Sequence, residues 1–426
     1  MSLNEYEFTF LKQLIAIPSV GSDPEPGCPY GKESKRALDF FLSEAVSQGF
    51  DTGIIDDKVG YVQFGKGEKM IGIVCHLDVV PAGKGWESDP FELTIKDGCY
   101  YGRGIIDDKG PACASYFAMK RLKEEGFIPD ARIRLILGSD EERTCDCVAT
   151  YAAKGEIPDF SITPDAEFPV IYAEKGILQI RISGSSVGKI TASAGNAVNM
   201  VPEEFTLTCN GITTVTQGLS AHAARPELGI NAIFKGIENA SESDTDQSPL
   251  LRFIREKILG REYSDYTGCM INDDSGMITA NPSVLRIDEE QETLMIDIRY
   301  PVTANHNDIV RYIASEASPY GLSVKISEHK APIYKDKDTK EIQILTDIWR
   351  NHISDYSGYK PEYKEQFVSP LAIGGGTYAR YLPDTIAFGV QIPWLEDQCH
   401  QANEHIAVSD FDINIDLLAD TIRKLS

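Results

Sequence analysis

The chain has 426 residues, of which 42% are hydrophobic, and this is more than one domain usually holds, so we expect two domains. The formal net charge of −24 would repel nucleic acids and anionic membranes, which argues against both as partners. The N-terminal segment lacks a basic start followed by an apolar stretch, and no run of about 18 apolar residues occurs, so we expect a soluble, cytoplasmic protein.

The nine cysteines are interpreted as reduced thiols, because a long chain without a secretory signal is typical of a reducing compartment. Cys145 and Cys147 form a CxC pair beside two glutamates. A further metal site is one interpretation of this pair, and two small buried side chains are the interpretation we prefer.

In the first part of the chain, predicted strands alternate with predicted helices. Helical periodicity covers 3–16, 32–48 and 111–125, and short apolar strands are predicted at 59–64, 71–77, 132–138 and 160–163. This alternation is typical of an α/β fold with a mostly parallel sheet flanked by helices. Ligands of such sheets bind beyond the carboxyl ends of the strands.

From about residue 178 the pattern indicates a smaller α+β domain with one antiparallel sheet. Its predicted strands are 177–183, 205–217, 293–301 and 322–327, its predicted helices are 227–240 and 307–317, and 241–248 is predicted as a solvated loop. The polar segment 329–340 returns the chain to the first domain. We therefore predict one domain from residues 1–180 and 333–426, interrupted by an inserted domain of residues 181–332.

Residues that can bind metal ions lie at or just beyond the C-terminal ends of four apolar segments. His76 ends IGIVCH, Asp107 follows GRGII, Glu141 and Glu142 follow RLILGSD, Asp165 follows FSITP, and His400 in DQCHQANE lies far downstream. Two zinc ions held by two histidines and three acidic residues form a site that can activate water for hydrolysis. The position of these residues beyond strand ends favours such a site.

Each residue alone also has a simpler interpretation. His76 and Asp78 share one face of a strand, which suits a ligand imidazole oriented by a carboxylate, or only a strand-end histidine bonded to a turn aspartate. Asp107 alone is an exposed turn residue or a helix N-cap, and Asp165 alone is a cap after Pro164.

Glu141 and Glu142 are adjacent at the end of a predicted strand, so their side chains point in different directions. One carboxylate can bind metal while its neighbour takes a proton from the bound water. The alternative is an acidic first turn of the following helix, which the helix dipole favours.

Eight short motifs occur in a characteristic order: CHLDVVP, GRGIIDDKGP, GSDEE, TPDAEFP, GLSAHAARPELGINA, DIRYP, GGGTYAR and CHQANE. Together they resemble the co-catalytic di-zinc metallopeptidase family of carnosinase, acetylornithine deacetylase and succinyl-diaminopimelate desuccinylase, over nearly the whole chain. Three of the motifs are most similar to the bacterial Xaa-His dipeptidase branch, the dipeptidase V type. The resemblance implies an α/β catalytic domain plus an inserted smaller α+β lid domain.

The resemblance also implies two divalent metal ions, zinc in the first place, with manganese or cobalt as alternatives. Asp107 matches the carboxylate that bridges both ions. His76 and Asp165 match the ligands of one ion, and Glu142 and His400 match those of the other.

The resemblance assigns the remaining roles as follows. Glu141 matches the general base, Asp78 the carboxylate that orients His76, and His222 a residue that reaches the scissile carbonyl oxygen. The residues that match substrate contacts are Asn199, Arg299, Gly375 and Gly376.

Without the resemblance, the residues of the inserted domain and the Gly-rich loop keep their alternatives. His222 is a polar functional residue or a surface residue, and Arg299 binds a carboxylate or forms a structural ion pair. The Gly-rich run is only a turn, or it lets the backbone approach an anion. His405 competes with His400 as the downstream ligand.

The predicted function is a metal-dependent dipeptidase that hydrolyses the peptide bond of short peptides with a free N-terminus. One alternative is an N-acyl amino acid deacylase of the deacetylase or desuccinylase type. Another is a non-catalytic metal- or peptide-binding protein, against which Glu141 argues because binding alone does not need it. The expected partner is a dipeptide or other small amide, and the chain is expected to be a monomer or homodimer.

Overall fold

A computed structural model describes residues 3–188 and 190–426, which form two compact units. The first unit contains the described residues up to Tyr172, together with Lys335–Leu371 and Thr377–Ser426. The second contains the described residues of Ala173–Tyr334 and the short segment Ala372–Gly376. The predicted boundaries lie at 180/181 and 332/333 instead, and the sequence gives no sign that the Gly-rich segment groups with the second unit.

The first unit is built on a mixed sheet with a parallel centre. The four central strands, in spatial order, are Arg132–Gly138, Met70–His76, Phe160–Thr163 and Thr385–Phe388. The sheet continues with antiparallel strands: Val59–Phe64 and Asp51–Ile55 on one side and Val170–Glu174 on the other. The strand Met70–His76 is buried throughout, as expected for a parallel strand covered on both faces.

Seven helices flank this sheet in the described part of the first unit. They are Glu5–Ile15, Lys32–Ser47, Lys109–Glu124, Asp146–Lys154, Lys340–His352, Pro361–Phe367 and Val408–Leu425. The first helix begins where Asn4 and Glu7 form a capping box. Its Phe10 ring packs against Phe41 and Tyr116, with centroids 5.0 and 5.2 Å apart, which joins three helices in one core.

The second unit contains a seven-stranded antiparallel sheet with helices. In spatial order its strands are Ile212–Gln217, Glu204–Cys209, Ile190–Ala194, Thr279–Ile287, Gln291–Tyr300, Gly176–Ser185 and Ser323–Lys330. Its helices are Ala232–Asn239, Glu242–Thr245, Pro249–Lys257, Tyr263–Thr267 and His306–Ala317. The predicted fold class, an α/β sheet flanked by helices plus a smaller α+β part, is confirmed.

Three local predictions in the second unit are wrong. The strand predicted at 205–217 is a hairpin, because Asn210 and Gly211 take positive φ values of 52° and 77° and turn the chain. The predicted loop 241–248 contains the helix Glu242–Thr245, which Ser241 caps. The helix predicted from 227 begins at Ala232.

Among the described residues, no helix combines the length and the apolar composition that a membrane span needs. The predicted cytoplasmic location stays a prediction.

Candidate metal centre

The parallel centre of the first sheet brings distant residues to one edge. His76 is the last residue of its strand and pairs with Gly138, the last residue of the neighbouring strand. Glu141 and Glu142 lie just beyond Gly138, after Ser139 and Asp140, and Asp165 lies just beyond the strand Phe160–Thr163. Because parallel strands share a carboxyl edge, these side chains converge there.

Asp107 lies between two imidazole rings. Its Oδ1 atom is 2.9 Å from Nε2 of His76, and its Oδ2 atom is 2.9 Å from Nε2 of His400. Nε2 of His76 is also 3.6 Å from Asp165, and Nε2 of His400 is 3.2 Å from Glu142. One carboxylate therefore presents a separate oxygen to each half of the cluster, which is the arrangement that a bridging ligand needs.

Among the described residues, two groups of potential ligand atoms lie close together, and neither includes His400. His76, Asp107 and Glu142 form one group, and His76, Glu141 and Asp165 form the other, with the ligand atoms of each group within 4.8 Å of one another. Among the described residues neither group includes a cysteine, and Cys145 and Cys147 are buried. His405 stacks on Tyr101 at 4.8 Å.

The tautomer of His76 indicates whether its ring can bind a cation at this site. Nδ1 lies 2.9 Å from the carbonyl oxygen of Asp78, which can only accept, so Nδ1 carries the proton and donates. In the neutral ring, Nε2 then presents a lone pair; this atom is buried, and its 2.9 Å contact with Oδ1 of Asp107 does not have the geometry of a hydrogen bond. A lone pair facing the Asp107 carboxylate is repulsive unless a proton or a metal ion lies between them, so the donor set fits a divalent cation.

Asp78 is fully buried and organises the glutamate pair. Its Oδ1 accepts from the backbone N–H of Glu141 at 3.0 Å, and its Oδ2 accepts from that of Glu142 at 3.1 Å. The carboxylate is 3.5 Å from Nδ1 of His76, farther than the carbonyl oxygen of the same residue. Nδ1 of His76 is therefore closer to the backbone oxygen of Asp78 than to its carboxylate, and the predicted role of Asp78 in orienting His76 stays a prediction.

The electrostatics of the cluster reflect concentrated negative charge. Burial raises the pKa of Glu141 to about 8 and that of Asp165 to about 7, and nearby carboxylates add to both shifts. Burial also raises the pKa of Glu142. The hydrogen bond to Asp107, followed by that to Glu142, raises the pKa of His400 to about 11. A bound cation would offset this charge.

The other predicted site residues lie in the second unit, where two hydrogen bonds bring them together in two pairs. The N–H of Ala223 donates to the carbonyl oxygen of Asn199 at 2.8 Å, which sets His222 beside Asn199. Nη1 of Arg299 donates to the carbonyl oxygen of Gly374 at 2.8 Å, the residue before Gly375 and Gly376.

Arg299 is buried and is held by an acidic neighbour. Its Nε and Nη2 donate to the two carboxylate oxygens of Asp297, at 2.6 and 3.2 Å. Sequence reasoning missed Asp297, although the spacing of two in DIRYP puts both side chains on one face of the strand. It also missed Arg103 and Glu404, a buried ion pair with a 2.7 Å contact beside the metal cluster.

A parallel-centred α/β sheet with imidazole and carboxylate groups converging at its carboxyl edge is the arrangement expected of a metal-dependent α/β enzyme. The sequence profile of Peptidase family M20/M25/M40 matches residues 72–424. The chain belongs to this family and is a hydrolase of the metallopeptidase class. The family and the enzyme class predicted from the motifs are confirmed.

Similar proteins agree with the family assignment. A Staphylococcus aureus (strain bovine RF122 / ET3-1) protein named "Putative dipeptidase" is 32% identical, and the match covers 93% of this chain and 92% of that protein. The structure of human carnosine dipeptidase 1 matches with a TM-score of 0.61 at 15% identity, over 99% of this chain and 96% of the other. Aminoacylhistidine dipeptidase from Vibrio alginolyticus matches with a TM-score of 0.61 at 14% identity, over 100% and 97%.

Proposed function

We propose that the chain is a cytoplasmic metal-dependent dipeptidase, which hydrolyses the peptide bond of short peptides with a free N-terminus. The observation that carries this proposal is the Asp107 carboxylate, which presents one oxygen to His76 and the other to His400 at 2.9 Å each. The dipeptidase names of its relatives support the substrate class. Residues 1–180 and 333–426 form the catalytic domain in this proposal, and 181–332 form the substrate clamp of a monomer or homodimer.

Two divalent cations would be held by five residues: His76, Asp107, Glu142, Asp165 and His400. Zinc suits the imidazole and carboxylate donors, and manganese or cobalt are alternatives. When bound, such ions polarise a carbonyl group and lower the pKa of water. Asp107 would bridge both sites, with His76 and Asp165 on one side and Glu142 and His400 on the other.

Glu141 is the general base in this proposal. Its carboxylate accepts the proton of the attacking water and later donates it to the amine of the leaving amino acid. Burial supports the role, because it raises the pKa of Glu141 to about 8 and so makes the carboxylate a stronger proton acceptor. The Asp78 carboxylate holds the backbone on which Glu141 sits.

His222 donates a hydrogen bond to the scissile carbonyl oxygen. The N–H of Ala224 donates to Nδ1 of His222 at 3.2 Å, so the proton of the neutral ring sits on Nε2, the nitrogen that would donate to the carbonyl oxygen. The substrate carboxylate would bind Arg299, whose orientation Asp297 holds. Asn199 and the backbone of Gly375 and Gly376 complete the substrate contacts.

The decisive experiment assays the purified protein, reconstituted with zinc, manganese or cobalt, on a panel of dipeptides beside their N-acetyl forms and N-acetyl amino acids. We expect hydrolysis of the free dipeptides, with much slower hydrolysis of the acetylated compounds. Preference for the acetylated compounds would identify a deacylase instead. Binding of metal without hydrolysis of any substrate would identify a non-catalytic protein.

A further inference from the structure

We propose that Glu404, together with Arg103, is a positioning residue. It holds the loops that carry Asp107 and His400 at the positions that the binding of two cations requires. Neither side chain is a ligand in the site described above. The inference rests on the proposed function, because it assumes that Asp107 and His400 bind metal. It adds residues whose effect on the metal centre is exerted entirely through the backbone of the ligand loops.

Glu404 is fully buried and accepts four hydrogen bonds. Its Oε1 accepts from the backbone N–H of Ile106 at 2.8 Å and of Asp107 at 3.2 Å. Its Oε2 accepts from the N–H of Gly104 at 3.0 Å and from Nη1 of Arg103 at 2.7 Å. The loop before the helix Lys109–Glu124 therefore folds around one carboxylate. One of the three backbone amides is that of Asp107, the proposed bridging ligand.

Arg103 connects the same loop to the downstream ligand. Its side chain is 1% exposed, and Nη2 donates to the carbonyl oxygen of His400 at 3.4 Å and to that of Ala82 at 3.3 Å. Its guanidinium also lies over the Trp86 ring, 5.3 Å from the centroid. Since Glu404 follows His400 by four residues, the ion pair ties both ligand loops together at their bases.

The contacts favour positioning over simple stabilisation. A buried ion pair adds little stability compared with an apolar pair of the same shape, because the cost of removing two charges from water offsets their attraction, although loss of one partner is destabilising. A carboxylate that accepts several backbone amides does define where that backbone lies, and groups that orient metal ligands typically contribute 10- to 100-fold to metal affinity, as an order-of-magnitude estimate. Both loops lack regular secondary structure around Asp107 and His400, so no ladder of strand hydrogen bonds does this instead.

The substitution Glu404→Gln tests the inference with minimal change of shape. The amide keeps one accepting oxygen, but its NH₂ group must then face either two backbone N–H groups or the pair formed by Gly104 and Arg103. Opposed donors push the loop away from its position. We expect weaker binding at both metal sites, because the displaced residue, Asp107, serves both.

The matched control is Glu7→Gln. Glu7 is also fully buried and also pairs with an arginine, since Nε and Nη2 of Arg121 each lie 2.9 Å from its carboxylate oxygens. Its third contact is the N–H of Asn4 at 3.0 Å, so it anchors the first helix. Glu7→Gln should lower the midpoint of urea unfolding and leave metal affinity unchanged.

Metal affinity is measured without any assay of activity, by titrating metal-free protein with cobalt, followed by visible absorption, and with zinc against a chromophoric chelator. We expect Glu404→Gln to lower the affinity about 10- to 100-fold relative to both wild type and Glu7→Gln. Should Glu404→Gln not fold, Arg103→Lys takes its place, and it should weaken mainly the site that uses His400.

Two outcomes would overturn the inference, and they are distinguishable. Wild-type affinity in Glu404→Gln, or in Arg103→Lys if that variant is used, would show that the ion pair only stabilises the fold, while the proposed function stands. Failure of the wild type itself to bind cobalt or zinc would overturn the proposed function and this inference with it.

Discussion

Glu141 and Glu142 are neighbours in the chain, yet their surroundings differ. Glu142 lies 3.2 Å from Nε2 of His400, so it belongs to the ligand side of the cluster. The side chain of Glu141 is contacted by Cys145, whose Sγ lies 3.7 Å from Oε1. A thiol is a weak donor, so it leaves the basicity of that carboxylate nearly intact.

Replacing Glu141 with Gln should therefore remove the proton acceptor while the metal ligands stay in place. We expect turnover to fall by about 10²–10⁴-fold, the usual loss for a general base, with metal content unchanged. Steady-state kinetics and elemental analysis on the same sample measure both quantities. Glu142→Gln is the control, and it should lower metal content instead. Equal loss of metal in both variants would contradict the division of roles.

Arg299 supports a second prediction at this scale. The change Arg299→Lys keeps the positive charge but loses the planar guanidinium. For a dipeptide with a free C-terminal carboxylate, we expect KM to rise about 10- to 100-fold, because a charge-assisted hydrogen bond of about 1.5–3 kcal/mol is lost. A dipeptide amide should be hydrolysed with nearly the same KM by both proteins. An equal rise in KM for both substrates would show that Arg299 does not contact the carboxylate.

The residues of the metal cluster were predictable because each one follows an apolar strand or belongs to a motif. The contacts of Asp297 and Glu404 were not predictable from the sequence, because nothing in DIRY or QANEH distinguishes a buried carboxylate from an exposed one. Glu404 is buried by partners about 300 positions away, the residues from Arg103 to Asp107. Such partners become known only when the fold is known.

At the scale of elements, the predicted strands of the first sheet agree closely with the structure, because buried parallel strands are continuous apolar runs. Several elements of the second unit were missed, among them one strand and one helix of nine residues each. The strand Thr279–Ile287 contains Asn281 and Pro282, which resemble a chain breaker, and the structure accommodates them with an irregular register. The helix Pro249–Lys257 is short and follows the segment predicted as a loop.

The start of the helix Pro249–Lys257 depends on a buried cap. Ser248 accepts from the N–H of Leu251 at 3.0 Å, and its hydroxyl donates to Glu292 at 2.9 Å. Ser248→Ala should lower the free energy of unfolding of the second unit by about 0.5–2 kcal/mol. Urea denaturation measures it. Ser241→Ala, at the exposed cap of the helix Glu242–Thr245, is the control and should cost less, because water can replace its hydroxyl.

At the scale of the whole molecule, the metal centre joins segments that are distant in the chain. A cation that binds only the native state stabilises it by about 2.7 kcal/mol at one hundred times its dissociation constant. Removal of metal also leaves the carboxylates of Asp107, Glu141, Glu142 and Asp165 facing one another. Metal-free protein should therefore unfold at a lower temperature than reconstituted protein.

Calorimetry before and after treatment with a chelator checks this expectation. The control is the same chelator already saturated with zinc, which should have no effect on the unfolding temperature. Unchanged unfolding after verified removal of all metal would mean that the cluster contributes nothing to native stability.

The position of the strand Thr385–Phe388 has a consequence for how the protein is made. This strand lies between Phe160–Thr163 and Val170–Glu174, so it fills the interior of the sheet late in synthesis. Roughly 220 residues separate Phe160–Thr163 from Thr385–Phe388, and a ribosome that adds about 5–20 residues per second needs roughly 10–40 s to synthesise them. During that interval we expect the apolar strand Phe160–Thr163 to have one edge of unpaired backbone groups, which can pair with other chains. His400 emerges later still, so the emerging polypeptide contains four of the five proposed metal ligands before the fifth is made.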